Sequence, residues 1–264
     1  MDQALYQRLV SELANSGVEE IGVFYLGESF LLDWLPEAIA YARKECGIPY
    51  VFLTTNGRMA TPDKVNACIK AGLNSLKFSF NHSGPDQLQE VTGVDGRNFG
   101  IIRENIQKSR AIRDYLRDTR GLECGVYASS ILYDREQRRA MEEAVSGILP
   151  YVDEHYYLPL YNQGALTTGT ALAYGYTPSP GNRGRIGALR DPVPCWSAFT
   201  EGHITWDGHL SACCFDHSAS WRMGDLKKTS FNESWHSRPF RELRRAHLKK
   251  NLQGTPCQEC VAWS

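Results

Sequence analysis

At 264 residues the chain can bury a full core unaided, and 29 Lys plus Arg against 30 Asp plus Glu leave no overall charge field for nucleic acid or an anionic membrane. No run approaches the ~18 apolar residues of a membrane span, and Met1-Asp2-Gln3-Ala4 lacks the basic-then-apolar order of a secretory signal. These features point to a cytoplasmic protein whose partners are small molecules or a peptide, in a compartment where a Cys-x-x-Cys pair serves a metal or redox site rather than a disulfide.

Leu5, Leu9 and Leu13 recur every four residues with Tyr6 and Val10 beside them, which predicts an amphipathic helix ending near Gly17. The apolar run Ile21-Gly22-Val23-Phe24-Tyr25-Leu26 has the texture of a strand buried on both faces and stops at Gly27-Glu28-Ser29. A helix over 35–46, the strand Tyr50-Val51-Phe52-Leu53-Thr54 and a turn at Asn56-Gly57 follow. Thr61-Pro62 supplies an N-cap and a first-turn proline for a helix through Val65, Cys68 and Ile69. Leu76, Phe78 and Phe80 then alternate with Lys77 and Ser79 as a further strand.

Ile102, Ile106, Ile112 and Leu116 mark the next helix, and Val126-Tyr127-Ala128 a strand that extends to Leu132. Asp134 with Gln137 resembles a capping box opening a helix that buries Met141, Val145 and Ile148. A last strand runs through Tyr156-Tyr157-Leu158-Pro159-Leu160. Five strands separated by helices imply an α/β fold with a parallel sheet and right-handed crossovers, either an open sheet or a barrel. The alternation opens on a helix where such a unit ordinarily opens on a strand.

This first domain spans 1–161. Over 162–194 the pattern dissolves into Gly, Pro, Thr and Asn, a linker or a substrate loop in which Tyr174, Tyr176, Arg183 and Arg185 are candidates to close over a ligand. In the second domain, 195–264, the segments 203–206 and 209–213 flank Asp207-Gly208, a strong hairpin signal. A basic helix over 237–250 buries Phe240 and Leu243 and delivers the chain to Cys257.

Five of the eight cysteines lie in this second domain. Cys257-x-x-Cys260 can grip one centre from a single turn, and Cys195 and Cys213 can complete a four-thiolate shell suited to zinc or to a cubane iron–sulfur cluster. A zinc ribbon normally carries two short Cys-x-x-Cys knuckles, and only one exists here. Cys214 is spare: its plain role is that of a small buried hydrophobe, its sharper one a catalytic thiol beside a cluster ligand.

The order Cys195, Gly208, Cys213, Met223-Gly224-Asp225-Leu226, Trp235, Arg244, Cys257-x-x-Cys260 resembles the auxiliary-cluster region of radical S-adenosylmethionine (SAM) enzymes, in the shortened twitch form of the SPASM domain. The resemblance implies a partial (β/α)6 TIM-like barrel followed by a small α+β domain, a β-hairpin plus a helix. It also implies one auxiliary [4Fe–4S] cluster on Cys195, Cys213, Cys257 and Cys260. Tyr25-Leu26-Gly27-Glu28-Ser29 stands where the family has its Gly-Gly-Glu-Pro-type motif, so Gly27, Glu28 and Ser29 would meet the ammonium end of SAM. Asn56 in Thr54-Thr55-Asn56-Gly57, and Ser79 and Asn81 in Lys77-Phe78-Ser79-Phe80-Asn81, match the following strand ends and would contact the same cofactor.

Two departures accompany the likeness. The superfamily's Cys-x-x-x-Cys-x-x-Cys motif, which holds the SAM-cleaving core cluster, is absent, and Cys46, Cys68 and Cys124 lie too far apart to replace it and read as packing residues. The barrel also lacks its first strand, so the simplest expectation is a sequence that begins after the signature loop, with a core [4Fe–4S] cluster only where an upstream segment supplies one. With it, the family chemistry is hydrogen abstraction from a sugar-like alcohol or a peptide, fed by a reductant protein such as flavodoxin or ferredoxin. Without it, the chain is a degenerate, non-catalytic relative, a metal-stiffened scaffold for a ligand or peptide.

Overall fold

A computed structural model describes residues 1–132, 136–173, 176–181, 195–217 and 220–261. Asp134, Tyr174, Arg183 and Arg185, named above, lie outside the described residues. Residues 17–158 form one compact unit, and residues 1–16 with 159–264 form the other. The helix α1 (Gln3–Asn15), grouped with the barrel on sequence, thus packs with the C-terminal residues.

In the unit 17–158 the chain runs β1 (Glu20–Gly22), α2 (Leu35–Ala40), β2 (Tyr50–Thr55), α3 (Pro62–Ala71), β3 (Ser75–Ser79), α4 (Pro85–Thr92), α5 (Asn98–Arg120), β4 (Gly125–Leu132), α6 (Glu136–Ser146) and β5 (Glu154–Pro159). The strands form one sheet in the order β1-β2-β3-β4-β5, with β1 to β4 paired in parallel, as the strand–helix alternation requires. Register explains the burial. Val51 and Leu53, Leu76 and Phe78, and Val126 and Ala128 stand side by side and are fully buried, with Val65, Cys68, Ile69 and Ile106 of the helices sharing that core. The opposite face, carrying Phe52, Thr54, Lys77, Ser79 and Tyr127, is only half-buried.

β1 departs from the expected long strand buried on both faces. It has three residues and one neighbour, and after Val23 N–H donates to the Phe52 carbonyl at 3.0 Å the chain bends away, leaving Leu26 46% exposed. An edge strand has no second partner to extend it. The expected 35–46 helix forms as α2 and then widens into a π-turn at Tyr41–Glu45, where Arg43 donates to the carbonyls of Gly72, Ile48 and Pro49. Thr61 sits at the N-cap of α3 in extended conformation without a side-chain cap bond, and Pro62 occupies the first turn as expected. The 23-residue α5 is bolted to the sheet by Arg113, which is 6% exposed and donates to the Cys124 carbonyl and to both oxygens of Asp153. Asp153 in turn accepts from Val126 N–H, which ties the starts of β4 and β5 to α5.

The other unit contains α1, α7 (Thr168–Ala173), α8 (Ser197–Thr200), β6 (His203–Ile204), β7 (His209–Ser211), β8 (Arg222–Asp225), α9 (Phe231–Trp235) and α10 (Arg238–Leu248). The expected hairpin forms at Asp207-Gly208, where Gly208 takes φ +81° and donates to the Thr205 carbonyl at 3.0 Å. β8 adds antiparallel to β7, so the hairpin plus helix of the sequence expectation is a three-stranded sheet with helices. Leu210, Ala212, Met223, Leu226, Phe231, Phe240 and Leu243 bury a core together with Leu9 of α1. Glu12 fastens α1 there by accepting from Phe231 N–H at 2.8 Å, and Arg8 donates to the Leu226 carbonyl. Ser230 and Glu233 form a capping box on α9, and the Ser237 hydroxyl accepts from Phe240 N–H at the start of α10. No helix of the described residues is long and apolar enough to cross a membrane.

Candidate functional sites

The first site lies at the carboxyl ends of β1 and β2, where ligands of parallel sheets bind. Glu28 is its hub. One carboxylate oxygen accepts from the Thr55 hydroxyl at 2.8 Å and from Phe30 N–H at 3.3 Å, and the other accepts from Asn56 N–H at 2.9 Å. The Ser29 hydroxyl donates back to the Val23 carbonyl, which tightens the turn that presents Glu28. Asn56 caps the next turn by accepting from Arg58 N–H, and Gly57 takes φ +84° to close it. Beneath, Asn105 of α5 donates to the carbonyls of Gly57 and Arg58, so this loop is clamped from below. Gly27 is exposed with open space where a side chain would stand. Gly27, Glu28, Ser29 and Asn56 are therefore brought together. Ser79 and Asn81, at the end of β3, are half-buried, and no side-chain hydrogen bond among the described residues links them to that group.

The second site is the cysteine cluster of the other unit. Cys195, Cys213, Cys257 and Cys260 are all partly buried, and burial is the largest influence on each thiol. It raises Cys195 and Cys260, raises Cys213 strongly, and pushes Cys257 up to about 12. The sulfurs also sense one another: Cys260 raises Cys195, Cys195 and Cys260 raise Cys257, and Cys214, Cys257 and Cys260 raise Cys213. Opposing this, the Phe215 N–H donates to Cys213 Sγ at 3.4 Å, the backbone of Ser197 and Ala198 acts to lower Cys195 and that of Gly164 and Gly181 to lower Cys260, and the Gly181 N–H donates to the Cys260 carbonyl at 2.8 Å. A Cβ at Gly181 would stand 2.5 Å from Cys260 Sγ, so only glycine lets that backbone approach.

Four soft donors, one of them accepting an amide N–H at sulfur, are of a chemistry that suits an iron–sulfur cluster or zinc. Among the described residues no three Cys, His, Asp or Glu side chains form a group that could hold a metal ion. The four are neighbours rather than a closed shell. Cys214 adjoins them and is half-buried. Cys68 and Cys124, by contrast, are buried in the sheet core with thiols pushed up to about 12 by burial, which makes them packing residues, and Cys46 ends the π-turn.

Two features of this site, His247 and the turn at 163–165, were not read from sequence, and Arg244 and Trp235 were named only as part of the resemblance, without a role. His247 of α10 is fully buried, accepts from Cys195 N–H through Nδ1 at 3.4 Å, and is held neutral by burial that lowers it to about 4. Arg244 lies 4.1 Å from the Trp235 ring and 4.2 Å from the Phe240 ring and donates to the Ala198 and Trp235 carbonyls, pinning α8 and Cys195 to α10. The segment expected to be irregular carries α7 and turns through positive φ at Gln163, Gly164 and Ala165, and Asn162 donates to the Glu259 carbonyl at 2.7 Å. Its glycines were the available signal.

Residues 195–261 match the SPASM family, an iron-sulfur cluster-binding domain. A comparison with curated protein sequences gave no match. Among solved structures, the fold is similar to BtrN in complex with AdoMet and 2-DOIA, at 15% identity and TM-score 0.58 over 98% of this chain and 79% of that one. It is similar to anSMEcpe with bound AdoMet, at 13% identity and TM-score 0.60 over 94% and 75%. It is also similar to Streptococcus suis SuiB bound to precursor peptide SuiA, at 12% identity and TM-score 0.61 over 91% and 59%. The chain therefore shares the α/β fold of BtrN, anSMEcpe and SuiB, and its residues 195–261 match the SPASM family model.

Proposed function

We propose that the chain belongs to a cytoplasmic radical SAM enzyme carrying one auxiliary [4Fe–4S] cluster on Cys195, Cys213, Cys257 and Cys260. The observation that carries this reading is that all four cysteines lie inside the SPASM-matched segment, with Cys195, Cys213, Cys257 and Cys260 near enough to sense one another's charge. Where a core cluster is provided, SAM bound beside it would supply hydrogen-abstraction chemistry. This chain's part in that chemistry is binding and orientation. Glu28 spends three of its acceptor positions on Thr55, Phe30 and Asn56, which fixes its rotamer and leaves capacity for one ammonium hydrogen bond beside the open Gly27. Ser79 and Asn81 extend the contact surface along the next strand end.

The residues present do not fit a core cluster: no Cys-x-x-x-Cys-x-x-Cys occurs, and Cys68 and Cys124 are buried in the sheet core. That observation favours a second reading, a non-catalytic relative that binds SAM-like ligands or a peptide on a metal-stiffened scaffold. The substrate proposed for the enzyme is a small sugar-like alcohol or a peptide. The support is that BtrN was solved with 2-DOIA and SuiB with a precursor peptide. The reductant proposed is a flavodoxin or ferredoxin.

The deciding experiment is anaerobic reconstitution of the 264-residue chain and of a version extended upstream, with iron, zinc, SAM binding and deoxyadenosine release measured for each. About four irons in the short chain, about eight in the extended one and deoxyadenosine from the extended one alone is the expected result. Zinc without iron overturns the cluster assignment. Iron and SAM binding without deoxyadenosine from either chain supports the scaffold.

A further inference from the structure

The two sides of α10 differ in kind. Its inner side buries Phe240, Leu243 and His247, and through His247 it touches Cys195. Its outer side carries Arg238, Arg241, Arg245 and Lys249, spaced three or four residues apart and hence in one stripe, with Lys250 adjoining. All five are exposed. Glu242 is the one carboxylate in the sequence from 238 to 250, and it is engaged by Arg238 at 2.7 Å. Arg241, Arg245, Lys249 and Lys250 make no ion pair among the described residues. In a chain of net charge −1 this is a local segregation of positive charge, not a general excess.

We propose that this stripe is the docking surface for an acidic one-electron carrier protein that exchanges electrons with the cluster at Cys195. The inference rests on reading the thiol site as an iron–sulfur centre. Complementary charge steers and orients such a partner without demanding a large apolar interface. A helix is about 10–12 Å across, so a carrier seated on the outer side of α10 stands roughly one helix from the Cys195 region. One electron leaves the reduced carrier and enters the oxidised cluster, so the carrier is oxidised by one and the cluster reduced by one, with no proton or bond change. A nucleic acid or an acidic peptide would be drawn by the same charges but would have no use for a helix whose other side meets a cluster ligand.

The test measures binding of the reconstituted chain to a labelled acidic [2Fe–2S] ferredoxin, together with the rate at which reduced ferredoxin bleaches the cluster absorbance. Wild type is compared with Arg241→Glu/Arg245→Glu/Lys249→Glu, and dithionite serves as a small-molecule reductant. Expected are a loss of affinity of about tenfold or more on raising salt from about 20 to about 200 mM, and a similar loss in the triple variant at low salt. The ferredoxin rate should fall in proportion while iron content and the dithionite rate stay unchanged. Unchanged binding and rate in the variant overturn the proposal. Poly-L-glutamate or a short RNA binding as tightly as ferredoxin, charge for charge, overturns it too. Absence of iron from the wild-type chain overturns the reading of the thiol site instead, and ferredoxin binding to that iron-free chain still reports on the stripe.

Discussion

The strand-end site and the thiol site are held by opposite means. At the strand ends Glu28 is an acceptor whose partners are already in place, with Thr55, Phe30 and Asn56 donating to it and Asn105 fixing the loop below. At the thiol site burial raises every candidate ligand, and the neighbouring sulfurs raise one another further. The first geometry persists without a guest. The second holds its cysteines as protonated thiols, so ligation there would need a cation that displaces their protons. The difference teaches which site measurements on the metal-free chain can report.

The largest effect should come from removing a thiol. Cys257→Ser or Cys260→Ser is expected to bring iron from about four atoms per chain to near zero after reconstitution, and to abolish the stabilisation that iron gives the C-terminal unit. Iron quantification alongside thermal denaturation reads both. Cys68→Ser should leave iron unchanged, because that thiol packs under the sheet. Loss of iron in Cys68→Ser would erase the contrast drawn here between ligand and packing cysteines.

Next in size is the bolt of the sheet unit. Arg113→Met leaves Asp153 without its main partner, and breaking such a pair costs on the order of 3 kcal/mol, lessened here because Asp153 is one-third exposed. Hydrogen bonding from Arg113, before any other cause, holds the Asp153 carboxyl below its ordinary value. A depressed carboxylate stabilises the fold above its unfolded pKa of about 3.9 and loses that contribution as pH falls through the lower folded value. Urea midpoints between about pH 6 and pH 2.5 should therefore fall with acid in wild type and much less in Arg113→Met. Glu28→Gln is milder in stability, about 1 kcal/mol, but should weaken SAM binding by about tenfold or more, since a charge-assisted bond becomes a neutral one. Equilibrium dialysis with labelled SAM separates the roles: unchanged affinity would make Glu28 a staple and nothing else.

Much of this was legible before any coordinates. Alternation of apolar runs with helical periods exposed the parallel sheet, and Asp207-Gly208 marked the hairpin, because side-chain period and turn chemistry are local properties. β8 was missed because Arg222-Met223-Gly224-Asp225 is too short to show a period, and its pairing with β7 is decided by the core that Met223 joins. The placement of α1 was equally hidden. Its stripe of Leu5, Leu9 and Leu13 announces a buried face but not the partner, which proved to be the core of Leu210 and Phe240. Cys195, Cys213, Cys257 and Cys260 were named from spacing and resemblance. His247, Gly164 and Gly181 were not, since their contacts with Cys195 and Cys260 join segments far apart in sequence.

The smallest expected effect lies in the hairpin that carries the chain to Cys213. The Thr205 hydroxyl donates to Asp207 at 2.5 Å and His209 Nδ1 lies 3.0 Å from its other oxygen, and these contacts, Thr205 first, hold the Asp207 carboxyl at about 2. The Asp207 side chain is 31% exposed, so water screens its contacts and Asp207→Asn should cost under about 1 kcal/mol at neutral pH. The sign follows from the lowered value: the contribution is full above about pH 4 and is lost as pH falls toward 2. Wild type and Asp207→Asn should therefore converge in stability in acid, whereas the Arg113→Met comparison acts on the other unit. If Asp207→Asn also lowered iron content at neutral pH, the hairpin would be positioning Cys213 rather than merely leading to it, and the thiol site would share the preorganised character now assigned to the strand ends.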